Sequence, residues 1–125
     1  MKYLCLGYHE ERIFTDLSPQ DRAAIIGEIL DYERHLRDSG HVIDTRALEP
    51  ARSATTLRFA TGGKMTVTDG PFTETKEQLG GIMVLEAVDL NHAIQLMSQS
   101  PCMRLGGSLE IRPVNDQCPE VEKLT

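Results

Sequence analysis

The run Gly81-Ile82-Met83-Val84-Leu85-Glu86-Ala87 is the most apolar β-prone segment of the chain, and it is apolar on both sides. Successive side chains of a strand point to opposite faces. Ile82 and Val84 therefore share one face, and Met83 and Leu85 share the other. Such a strand belongs inside a sheet whose two faces are both covered. The chain of 125 residues offers only two long helical patterns, enough to cover one face. A second copy of the chain is the simplest cover for the other, so the pattern predicts a homodimer.

The remaining elements follow from local signals. Residues Lys2 to Tyr8 are apolar and β-compatible and precede a polar loop, which predicts the first strand. Ser18 is a natural N-cap, Pro19 suits the first helical position, and Asp21 places its charge in the first turn. Ile25, Ile29, Tyr32 and Leu36 repeat at helical spacing, Ile26 and Leu30 widen the stripe, and Gly40 ends the helix. Gly27, inside it, suggests close approach of another element. Val42 to Leu48 reads as a second strand. Thr55 to Ala60 and Lys64 to Asp69 read as a hairpin, with Gly62-Gly63 supplying the turn. Asp89 caps a second helix over Leu90 to Ser98, which Ser100-Pro101 stops. Ser108 to Val114 is the last strand. The order is a βαβ–βαβ plan with an inserted β-hairpin, a ferredoxin-like α+β sheet with helices on one face. Residues 1–114 form one domain, and 115–125 form a polar tail without periodicity.

Composition narrows the function classes. A net charge of −6 argues against nonspecific nucleic-acid binding, which needs a basic footprint. No window carries the ~20 apolar residues of a membrane span, and the apolar run at the N-terminus is too short for a secretory signal. Cys5, Cys102 and Cys118 show neither CxxC nor zinc spacing, which predicts reduced thiols in a cytoplasmic protein. Cys5 reads as a small buried hydrophobe and Cys118 as an exposed residue of the tail. The glycine pairs lack nucleotide-loop spacing and no metal-ligand cluster is visible, so no cofactor is expected.

Polar chemistry concentrates around Asp69-Gly70-Pro71-Phe72-Thr73-Glu74-Thr75-Lys76-Glu77, closed by Gly80-Gly81. Met65, Val67 and Asp69 share one side of their strand. If that side is the inner one, Asp69 ends an apolar row at the rim of the core. Its carboxylate then either bonds its own turn or serves as an acid or base with a pKa raised by burial. The candidate site comprises Asp69, His9 after the first strand, Arg46 on the second, and Phe72, Glu74 and Lys76 in the loop. Arg46 or Lys76 would hold an anionic or carbonyl oxygen, and Phe72 would form an apolar wall. The competing reading makes Glu74, Lys76 and Glu77 a solvated charged turn, with Phe72 anchoring the loop in the core. His35 and His92 read as surface residues, because the apolar stripes lie elsewhere. His41 begins the second strand.

The nine residues 69–77 resemble the DGPFAETKE signature of the DGPF branch of YCII-related proteins, with Thr73 in place of the usual alanine. The resemblance extends to Met1-Lys2-Tyr3, Leu17-Ser18-Pro19, Gln78-Leu79-Gly80-Gly81 and Glu110-Ile111-Arg112-Pro113-Val114. It implies a dimeric α/β-barrel arrangement. Some relatives are associated with dehydrochlorination of aromatic catabolites, and some with a His/Asp pair whose histidine has no clear counterpart here. Genes of the DGPF branch often neighbour extracytoplasmic-function sigma factors. Two functions are therefore expected in competition: an acid/base enzyme on a small organic molecule, and a noncatalytic ligand-binding or regulatory module linked to such a sigma factor.

Overall fold

The computed structural model describes residues 1–117. The expected tail falls largely outside that range, and Cys118 lies outside it altogether. Strands β1 (Lys2–His9), β2 (Val42–Ala47), β5 (Gln78–Glu86) and β6 (Ser108–Pro113) form one sheet in the order β2-β5-β1-β6. Every neighbouring pair in it is antiparallel. Among the described residues, strands β3 (Thr55–Phe59) and β4 (Met65–Asp69) pair only with each other, as a separate two-stranded ribbon. The helices are α1 (Arg12–Thr15), α2 (Pro19–Asp38) and α3 (Leu90–Ser98). This mixed architecture is consistent with a ferredoxin-like fold.

The local signals act as the residue types dictate. Ser18 Oγ accepts the Asp21 backbone N–H at 3.1 Å, and Pro19 begins α2. Asp89 accepts from His92 N at 2.9 Å to open α3. Gly40, at φ +81°, reverses the chain out of α2, where a side chain would be strained. Gly27, by contrast, has open space around it, so no element among the described residues approaches there.

The core lies between the sheet and the long helices. Tyr3, Cys5, Met83 and Leu85 from the central strands meet Leu36 of α2 and Ala93 and Met97 of α3. The Tyr32 hydroxyl donates to the Leu96 carbonyl at 2.5 Å, tying α2 to α3. Opposite Cys5 and Leu85, the other face of the sheet carries Leu4, Leu6, Ile82 and Val84, all half-buried. Two ion pairs flank that stripe, Asp44–Arg46 on β2 and Glu110–Arg112 on β6, each at 2.9 Å.

Several details differ from the sequence expectation. β5 begins at Gln78, three residues before the apolar run, because β1 runs on to His9 across a bulge at Gly7/Tyr8 and pairs with it. The short helix α1 and the 3₁₀ turn Pro101–Leu105 have too few residues to show a period. His92 is half-buried rather than a surface residue, its ring edge-on to His41 at 5.0 Å. The Met65/Val67 row faces outward, since β3 and β4 are all but separate from the main sheet.

Candidate functional site

The signature stretch is built as a loop between the ribbon and β5. Gly70, at φ +101°, makes the bend; its N–H donates to the Ala54 carbonyl at 2.7 Å, and its own carbonyl accepts from the Thr56 hydroxyl at 2.8 Å. These bonds fasten the end of β4 to the start of β3. Gln78 then acts as a spool, its side-chain amide donating to the carbonyls of Thr73 and Thr75 at 3.1 and 2.8 Å. The Ser108 hydroxyl donates to both carboxylate oxygens of Glu77, at 2.9 and 3.3 Å, joining the loop to β6.

A cleft lies on each side of this loop. The first has a volume of about 900 Å³. Tyr8, Leu48 and Leu79 form one wall, Thr55, Thr56 and Leu57 another, and Phe72, Thr73, Thr75 and Glu77 face it from the loop. It combines an apolar lining with hydroxyls and two carboxylates, Glu49 and Glu77, a composition suited to a small organic ligand with polar substituents. The second cleft, of about 810 Å³, is charged: Glu10, Arg12, Asp16, Lys76 and Glu77 line it with Gly106 and Gly107.

The residues singled out from the sequence do not form one cluster. Phe72 lines the first cleft and is exposed, with Arg58 stacked 5.2 Å from its ring centroid. It is therefore a surface wall rather than a core anchor. Lys76 lines the second cleft and lies 3.3 Å from Glu10, whose carboxyl is held below its usual range by that hydrogen bond and by Arg12. Glu74 is exposed and lines neither cleft. Arg46 lines neither and pairs with Asp44 at the margin of the sheet.

Asp69 does not sit at the rim of a core. It is exposed and lines neither cleft, standing opposite Thr55, a residue of the first cleft. His9 is half-buried, its ring against Gly80 and edge-on to Phe14 at 5.5 Å. It also lines neither cleft. Sequence reasoning missed Tyr8, Thr56 and Glu77 as lining groups. Only the alternation of β1 and the signature itself could have pointed to them. Among the described residues no group of three or more His, Cys, Asp and Glu side chains could hold a metal ion, and no helix is long and apolar enough to cross a membrane.

Fold and clefts together define a small α+β protein that carries a ligand-sized cleft beside its principal loop. The chain belongs to the YCII-related domain family, whose model matches residues 1–117. An uncharacterized protein of Rhizobium meliloti is 30% identical over 118 residues, spanning 91% of this chain and 92% of that one. Among solved structures, the chain is similar to 5-chloro-2-hydroxyhydroquinone dehydrochlorinase from Burkholderia phenoliruptrix in complex with 2,5-dihydroxybenzoquinone. That likeness has a TM-score of 0.53 and 15% identity and covers 92% of this chain and 94% of the other. At that identity the likeness speaks for the fold.

Proposed function

We propose that this chain is a cytoplasmic homodimer of the dimeric α/β-barrel type, and that it binds and transforms a small planar organic molecule in the first cleft. The observation that carries the reading is the lining of that cleft. Phe72 and Tyr8 supply aromatic surface, Leu48, Leu57 and Leu79 supply apolar walls, and the hydroxyls and the Glu49 and Glu77 carboxylates supply orienting polar groups. A substituted phenol or quinone has this complementary chemistry. The dehydrochlorinase that shares the fold is itself complexed with a dihydroxybenzoquinone, which supports the same substrate class. Proton transfer falls to a carboxylate: Glu49 or Glu77 in the lining, or Asp69 opposite Thr55. The dimer reading rests on the half-buried stripe Leu4, Leu6, Ile82 and Val84, which lies on the face of the sheet opposite the one packed against α2 and α3.

The test is a panel of hydroxylated and halogenated quinones and phenols, read first by thermal shift and then by turnover. Phe72→Ala should abolish the shift while leaving the fold unchanged, because Phe72 is exposed. Glu49→Gln, Glu77→Gln and Asp69→Asn should keep binding, and the variant that loses turnover identifies the proton-transfer group. A panel without any binder rejects the reading.

A second reading is a regulatory module working with an extracytoplasmic-function sigma factor. One observation favours it: a row of large apolar side chains is exposed on the β3–β4 ribbon, outside the sheet face assigned to the dimer.

A further inference from the structure

The β3–β4 ribbon is a structural anomaly. A two-stranded ribbon standing alone is marginal in water and needs a third layer against one face. Here the cross-strand pairs Leu57↔Val67 and Phe59↔Met65 put four large apolar side chains on one side. All four are exposed, Phe59 by 76% and Val67 by 60%. The opposite side is polar: Thr56 bonds the Gly70 carbonyl, and Arg58 stacks on Phe72 and donates to its carbonyl at 3.2 Å. The polar side therefore faces home, onto the signature loop, and the apolar side faces away beyond Leu57, which lines the first cleft. A solvated surface ribbon would show the reverse pattern.

We propose that this ribbon is an arm whose apolar face docks on a second copy of the chain, so that the mouth of the first cleft is closed by the partner subunit. Three features select a second copy as the occupant. The first is charge. The ribbon, residues 55–69, holds the cations Arg58 and Lys64 against the single anion Asp69, whereas the whole chain has a net charge of −6. A basic arm on an acidic body is complementary to another acidic body of the same kind. The second is continuity. The apolar row begins at Leu57 in the cleft wall, and Tyr8 and Leu79 in the same cleft pair at the end of β1 and β5. Those are the strands that carry the stripe Leu4, Leu6, Ile82 and Val84. A copy seated on that stripe lies beside the cleft and within reach of an arm about 17 Å long, at about 3.4 Å per residue. The third is symmetry. A two-fold dimer uses each such contact twice, so one arm and one receiving surface per chain suffice.

This inference rests on the dimer reading given above and goes beyond it, because a sheet-to-sheet dimer could form without the arm. The decisive variant is Phe59→Ser with Val67→Ser. Both positions are exposed in the single chain, so its own packing is untouched. Sedimentation equilibrium should show a dimer weakened by at least about a hundredfold, since two large side chains on each arm, and so four per dimer, lose their burial. Ile82→Arg, on the sheet face, is the reference for loss of the dimer itself. Amine cross-linking of a mixture of light and heavy isotopic forms provides a second readout, which should join Lys64 of one form to the other form. A double-serine variant as tightly dimeric as the parent, with Lys64 linking only within one form, overturns the arm and leaves the dimer standing. A monomeric parent overturns both, and gives the apolar row to a partner of another kind.

Discussion

The imidazole of His9 occupies the space that a side chain at Gly80 would fill: a Cβ there would lie 2.0 Å from His9 Cε1 and 2.7 Å from Nδ1. Gly80 is thus the seat of His9, and the glycine pair that closes the signature loop has a packing role rather than a turn role. Its φ is not in the left-handed region, so the demand is purely one of space.

Gly80→Ala should therefore expel the His9 ring. His9 is edge-on to Phe14 of α1, so the loss extends into that short helix. The expected cost is about 1–3 kcal/mol, as for other overpacked sites. Thermal unfolding measures it, and the double variant Gly80→Ala with His9→Ala should recover part of the loss. An unchanged melting temperature in the single variant would remove the steric argument.

Burial raises the thiol pKa of Cys5 to about 11. Below that pH the folded protein holds it as the unreactive thiol. An aromatic disulfide reagent at neutral pH should leave Cys5 unmodified in the folded protein and reach it only on unfolding. The raised value also links to stability. The contribution is fully present below the unfolded thiol's value and is lost as pH rises from about 9 through about 11. Denaturant midpoints across that range, parent against Cys5→Ala, should show the parent falling more steeply.

Glu33 on α2 is half-buried, and burial raises its carboxyl pKa above the ordinary 4.5, with Arg37 opposing. The folded chain therefore holds the proton more tightly than the unfolded one. The associated stability is present in acid and is lost as pH rises through the folded value. Glu33→Gln should accordingly melt higher than the parent at neutral pH, with the difference closing as the pH falls below the ordinary carboxyl value.

Glu10 shows the opposite shift. Its hydrogen bond to Lys76 and the nearby Arg12 hold it below 4.5. Lys76→Met should move the Glu10 carboxyl titration, followed by NMR, back toward 4.5. The melting temperature should barely change, because an exposed ion pair contributes little. A titration that stays where it was would mean that Arg12 alone sets the shift.

The elements with nearest-neighbour signals were legible in the chain: Ser18-Pro19 opens α2, Asp89 opens α3, and the two-sided apolar run lies within β5. Caps, periods and turn residues act over three or four positions, so they are written locally. The signature also identified the family. What the sequence did not contain is which groups meet. Asp69, His9, Arg46 and Lys76 share a reasonable chemistry on paper, yet lie in different surroundings. Asp69 faces outward because β3–β4 leaves the main sheet, and Arg46 belongs to the pair at the sheet margin. Tyr8 and Glu77 reach the first cleft only because a bulge in β1 and the anchoring of Glu77 by Ser108 place them there. Those placements depend on contacts between residues tens of positions apart, whose geometry is set by the packed sheet and not by any local pattern.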